Sequence, residues 1–187
     1  VELTMLTAIQ RTLPLLLLLG CSEARLPADT GLADADLDAP AAEAAPSEGL
    51  VLNELLADSA ESEDWIELYN PTSAPISLDG FALTDALGEE EPWALPAGLS
   101  LEPGGHLLIW CDDAAAEAED DALHAPFKLS KDGEAVALID PSGGLADEVL
   151  LPASAPEQSW GRAADGDPAW VPFAPPTPAA PNAAPAD

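Results

Sequence analysis

Six carboxylates crowd ten residues of this 187-residue chain: Asp112, Asp113, Glu117, Glu119, Asp120 and Asp121. Oxygen-rich runs of this kind suit Ca2+, which takes roughly six to eight oxygen ligands and binds extracellular modules weakly, at about 10−4 to 10−3 M. The run lacks the Asp-x-Asp-x-Asp-Gly spacing that wraps ligands around one ion, so a solvated acidic loop accounts for it more simply. Glu89, Glu90 and Glu91 form a second acidic loop. No cofactor other than Ca2+ is suggested. The two histidines, His106 and His124, fall in a predicted strand and a strand entry, where a structural role is expected. Cys111 follows Trp110 in an apolar run with nothing basic near it in sequence, the setting of a buried small hydrophobe rather than a reactive thiol. Arg162, one of five cations, is expected to pair with a carboxylate inside the fold. Trp65 and Tyr69 either form a recognition surface or cover a second layer of the domain. The chain has no Gly-x-Ser-x-Gly, His-x-x-x-His, Cys-x-x-Cys or phosphate-cradling glycine loop, so catalysis is not expected.

The elements that position these residues are short strands. Asp64 to Tyr69 alternates cleanly, with Ile66 and Leu68 on one face and Trp65, Glu67 and Tyr69 on the other, and Asn70-Pro71 closes it. Strands are also predicted over 50–56, 76–78, 81–85, 106–111, 134–139 and 145–151. The segment 92–96, flanked by Pro92 and Pro96, should lie at a sheet edge because proline cannot donate to a central ladder. Run 106–111 is apolar on both faces and should be interior. Asp79-Gly80, Pro103-Gly104-Gly105, Lys131-Asp132-Gly133 and Pro141-Ser142-Gly143-Gly144 punctuate the strands as turns. No stretch predicts a helix. Strands at this spacing indicate an all-β sandwich.

Thirty-five Asp and Glu against five Lys and Arg give a net charge of −30, which repels phosphate backbones and rules against a nucleic-acid partner. The same surface suits a saline habitat, where salt screens self-repulsion. All nine Trp, Phe and Tyr residues lie between Trp65 and Phe173, so the folded unit belongs there. Residues 1–20 read as a signal peptide. Arg11 precedes the apolar run 13–19, which falls short of the roughly 20 residues that span a bilayer. Glu2 suits such a leader poorly, an objection that a start at Met5 removes. Leu18-Leu19-Gly20-Cys21 resembles the lipobox of bacterial lipoproteins, which implies lipidation of Cys21 and a membrane anchor. Ser22 after it implies outer-membrane sorting in a Gram-negative host. The Cys count alone allows a Cys21–Cys111 disulfide, but acylation would consume Cys21. Residues 21–48 are rich in Ala, Asp, Glu and Pro without an aromatic, and predict a disordered, self-repelling linker.

Beyond the linker, Asn53-Glu54-Leu55 is followed by Asp64 to Pro71 and by Leu78-Asp79-Gly80-Phe81-Ala82-Leu83-Thr84-Asp85. Further on come Pro103-Gly104-Gly105-His106, Leu123-His124, Phe127-Lys128-Leu129-Ser130-Lys131, Asp140-Pro141-Ser142-Gly143, Ser159-Trp160-Gly161-Arg162 and the closing Thr177 to Asn182. This ordered series resembles the lamin-tail domains of bacterial surface and secreted proteins, over residues 49–182, with 183–187 as a disordered tail. The resemblance implies an immunoglobulin-like β-sandwich. It also implies that Asn53, Glu54, Asp64, Ile66, Glu67, Leu68, Asn70, Pro71, Gly80, Gly161 and Arg162 form its structural motif. The expected function is a non-catalytic binding or adhesion module of the cell envelope, tethered by lipid, with a surface protein or glycan as partner. A calcium-dependent or purely structural envelope component is the alternative, and a cryptic hydrolase a remote one.

Overall fold

The computed structural model describes residues 49–60, 62–88, 91–113 and 122–183. Among them there is no helix. The fold is all-β: a six-stranded and a four-stranded sheet enclose one apolar core, in the manner of an immunoglobulin-like sandwich.

The larger sheet contains β1 (Val51–Leu56), β2 (Asp64–Tyr69), β7 (His106–Cys111), β8 (Leu123–Ala125), β11 (Ser159–Arg162) and β12 (Trp170–Phe173), in the order β12-β11-β1-β2-β7-β8. All neighbours run antiparallel except β7 and β8, which are parallel. The smaller sheet orders β10 (Leu145–Leu151), β9 (Glu134–Ile139), β4 (Ala82–Thr84) and β5 (Trp93–Ala94). β5 lies at its edge, as its flanking prolines require. A short pair, β3 (Ile76–Ser77) with β6 (Ser100–Leu101), completes the domain. The alternating runs are recovered with the expected ends at β2, β7, β9 and β10. Ser100–Leu101, Ser159–Arg162 and Trp170–Phe173 were not legible as strands, being too short or too polar for the period-two pattern.

Ile66 and Leu68 of β2 are fully buried and pack with Leu52, Leu55, Ile109, Val136 and Leu138 between the sheets. Leu52 and Leu55 are three residues apart, yet both face this core. A bulge makes that possible: Leu52 pairs with Leu68 and Glu54 with Glu67, leaving Asn53 as the extra residue. The added residue inverts the alternation, so Asn53 and Glu54 both turn to the outer face of the large sheet while Leu55 returns inward.

A second bulge, between Leu145 and Asp147 of β10, aims Asp147 towards the large sheet. There Asp147 Oδ2 accepts from Arg162 Nη2 at 2.8 Å and from the Leu52 amide at 2.8 Å. Arg162 also donates through Nε to Leu52 O and through Nη1 to Asp167 O, both at 2.6 Å, and its guanidinium lies 5.0 Å from the Trp170 ring centre. Both side chains are largely withdrawn from water, with 9% and 15% exposure. The expected carboxylate partner of Arg162 is therefore Asp147, and the pair clamps one sheet to the other.

Candidate functional site

The outer face of the large sheet carries the residues of greatest chemical interest. Residues directly opposite one another in neighbouring strands share a face, so Gly161, Glu54, Glu67, Leu108, Trp65, Trp110 and His124 lie along it.

Glu54 and Glu67 are paired across β1 and β2, and neither is exposed. Two buried carboxylates side by side are tolerable only when hydrogen bonds replace their water. Those bonds come mostly from the C-terminal segment. Glu54 Oε1 accepts from the Ser159 hydroxyl and from the Thr177 amide at 3.0 Å, and its Oε2 from Thr177 Oγ1 at 2.7 Å. Glu67 Oε2 accepts from the Ala179 amide at 2.6 Å and Oε1 from Asn53 Nδ2 at 2.9 Å. Burial raises the Glu67 carboxyl above its ordinary value. The Asn53 and Ala179 hydrogen bonds and His106 pull it back, and Glu54 pushes it further up.

Asn53 is the hub. Its amide nitrogen also donates to Asp165 Oδ1 at 3.0 Å, and its side-chain oxygen accepts from the Gly166 amide at 3.2 Å. Asn182 closes the ring: Nδ2 donates to Asn53 O at 3.2 Å and Arg162 O at 2.9 Å, and its amide donates to Asp165 Oδ1 at 2.9 Å. The Thr177 hydroxyl sits between Glu54 Oε2 and Asn182 Oδ1, at 2.7 and 2.9 Å, with one proton for two acceptors. Gly161 is required beneath this strap, since a Cβ there would stand 3.0 Å from both Glu54 Cγ and Phe173 Cε2. His106 Nε2 approaches Asp165 Oδ2 to 3.2 Å but is off the line a hydrogen bond needs, and it has no hydrogen-bond partner among the described residues.

Other motif residues are equally occupied. Asn70 Nδ2 bridges Ala74 O and Leu101 O at 2.9 and 2.8 Å, while its Oδ1 accepts from Thr72, so the turn at Pro71 is built on one amide. Asp64 accepts from the Asp58 amide at 3.1 Å, and burial raises its carboxyl. Gly80 has φ of 83° and faces Pro141. Cys111 is fully buried; burial, then nearby carboxylates, push its thiol well above the ordinary value, which leaves it unreactive.

Of the two readings of Trp65, its burial fits cover for a second layer rather than a recognition surface, since it is only 2% exposed. Tyr69 is half-buried, its ring 4.9 Å from that of His106, and burial and Asp165 raise its hydroxyl pKa. The aromatic that lines open space is the neighbour across the ladder, Trp110. With Ser62, Glu63, Asp112 and His124 it borders a shallow groove of about 290 Å3. His124 Nδ1 donates to Asp112 Oδ2 at 2.7 Å, and both side chains are largely buried. Of the six carboxylates suggested as calcium ligands, Asp112 thus binds a histidine. Glu117, Glu119, Asp120 and Asp121 lie outside the described residues, as does Cys21. Among the described residues no three His, Cys, Asp or Glu gather as a metal site.

Three residues escaped the sequence reading: Asp147, Asp165 and Trp110 as a groove residue. The odd Leu52–Leu55 spacing was the one signal of the bulge that turns Asn53 outward. No curated protein matches this chain. The Lamin Tail Domain family matches residues 43–151, more than half of the sequence. The strands, the bulge and the buried Asn-Glu pair are the framework into which that match falls, and the chain belongs to the lamin-tail domain family.

Proposed function

We propose that this protein is a non-catalytic binding module held at the cell envelope by a lipid on Cys21, with residues 22–48 as spacer. One observation carries the first half of this reading. The carboxylates and amides of the family motif are turned onto the chain's own C-terminal segment, so they serve the fold and present no reactive group to a substrate. The second half rests on Leu18-Leu19-Gly20-Cys21 at the end of an apolar run and on the aromatic-free linker behind it.

Mass spectrometry of the N-terminus after expression in a bacterial host tests the tether. A diacylglyceryl-modified Cys21 is expected; an unmodified terminus cleaved elsewhere would remove the anchor. Screening the purified protein against esterase, nuclease and glycosidase substrates tests the non-catalytic half. Reproducible turnover lost in His124→Ala would turn the reading into that of an enzyme. A rise in melting temperature with millimolar Ca2+ would instead favour a calcium-dependent component.

A further inference from the structure

We infer that the Trp110 groove is a binding site for an organic cation, an ammonium group of side-chain size. It deepens the binding-module reading and rests on it. The groove is at the small end of ligand pockets, which suits one compact group rather than a long chain. Trp110 lines it, and an indole is the ring that attracts cations most strongly. Its polar wall is Glu63 and Asp112, both acceptors, with Asp112 fixed by His124 at 2.7 Å.

Charge then selects among ligands. A protein of net charge −30 disfavours anions and gives a neutral sugar no electrostatic gain, whereas a cation is drawn in from a distance. The molecule already shows the preference at the rim, where the Lys128 ammonium lies 3.4 Å from Glu63 Oε2. Both side chains of that pair are 58% exposed, so it exchanges readily with an arriving cation.

The test follows the Trp110 indole N–H by NMR in the full-length protein while choline, Nα-acetyl-lysine methylamide, the neutral choline isostere 3,3-dimethylbutan-1-ol and glucose are added in turn. A saturable shift is expected with at least one cation, and about tenfold weaker binding of the neutral isostere. Choline alone would point to quaternary ammonium ligands, and the lysine derivative to a basic protein segment. Glu63→Gln, on an exposed side chain, should weaken the cation about threefold, and Lys128→Ala should strengthen it by removing the resident competitor. Trp110→Leu, checked for folding by circular dichroism, should abolish it. Equal binding of choline and its isostere, a shift with glucose alone, no saturable shift with any compound, or an unchanged affinity in Glu63→Gln would overturn the inference. None of these depends on the lipid or on turnover, so its failure is distinguishable from failure of the tethered-module reading.

Discussion

The outer face of the large sheet has two halves, one covered by the chain's own C-terminal segment and one bordering a groove. Over β11, β1 and the middle of β2, the C-terminal segment lies across Glu54 and Glu67 and saturates them with its own amides and hydroxyls. Over the ends of β2, β7 and β8, Trp110, Asp112 and His124 border an open groove instead. The half richest in acids and amides is therefore the one whose polar groups are engaged by the fold itself. Buried carboxylates in this motif mark a chain fastening itself, and the groove lies where that strap does not reach.

The largest loss is expected at the clamp between the sheets, ahead of the residues beneath the strap. Arg162→Ala leaves Asp147 buried without its cation and removes two bonds to backbone carbonyls, so urea denaturation should show a loss of about 3–5 kcal/mol. Glu54→Ala leaves Ser159 Oγ and the Thr177 amide without their acceptor, while the Thr177 hydroxyl keeps Asn182 Oδ1, and should cost about 2–4 kcal/mol on the same measurement. Gly161→Ala forces a methyl group against Glu54, Phe173 and Asn182 and should cost about 1–3 kcal/mol. The opposite half should be far less sensitive: Glu63→Gln is expected to change stability by less than about 0.5 kcal/mol.

The strapped half also carries a pH response. Glu67 has a folded pKa raised above its ordinary 4.5, chiefly by burial. Between those two values the folded protein holds a proton that the unfolded chain has released. The contribution of Glu67 is thus fully present below 4.5 and is lost as pH rises through the raised value. Calorimetric melting across that window should show a decline in stability with rising pH. Glu67→Gln, which cannot titrate, should flatten it, while Asp64 and Glu134, raised in the same direction, keep part of the slope.

Much of this was legible beforehand where a strand keeps strict alternation. Ile66 and Leu68 announced the core, and proline confined β5 to an edge. The acidic motif residues could be placed in order but not given a task, because their partners are far away in sequence: Thr177 is 123 residues from Glu54, and Ala179 is 112 from Glu67. Period-two reasoning also fails at a bulge, so the outward turn of Asn53 was hidden within an apolar strand. Trp65 and Trp110 look alike in sequence, and nothing in their neighbours told the buried ring from the one at the groove.

The position of β11 governs the order in which the domain is completed during synthesis. β1, the first strand among the described residues, has as one neighbour a strand formed by residues 159–162, and its Glu54 waits for Thr177. The family match ends at residue 151, so a nascent or shortened chain stopping there has both carboxylates uncovered and one flank of β1 bare. Such a chain holds an unpaired strand edge and two unquenched acids until residues 159–179 follow, so closure of this fold waits on its C-terminal segment.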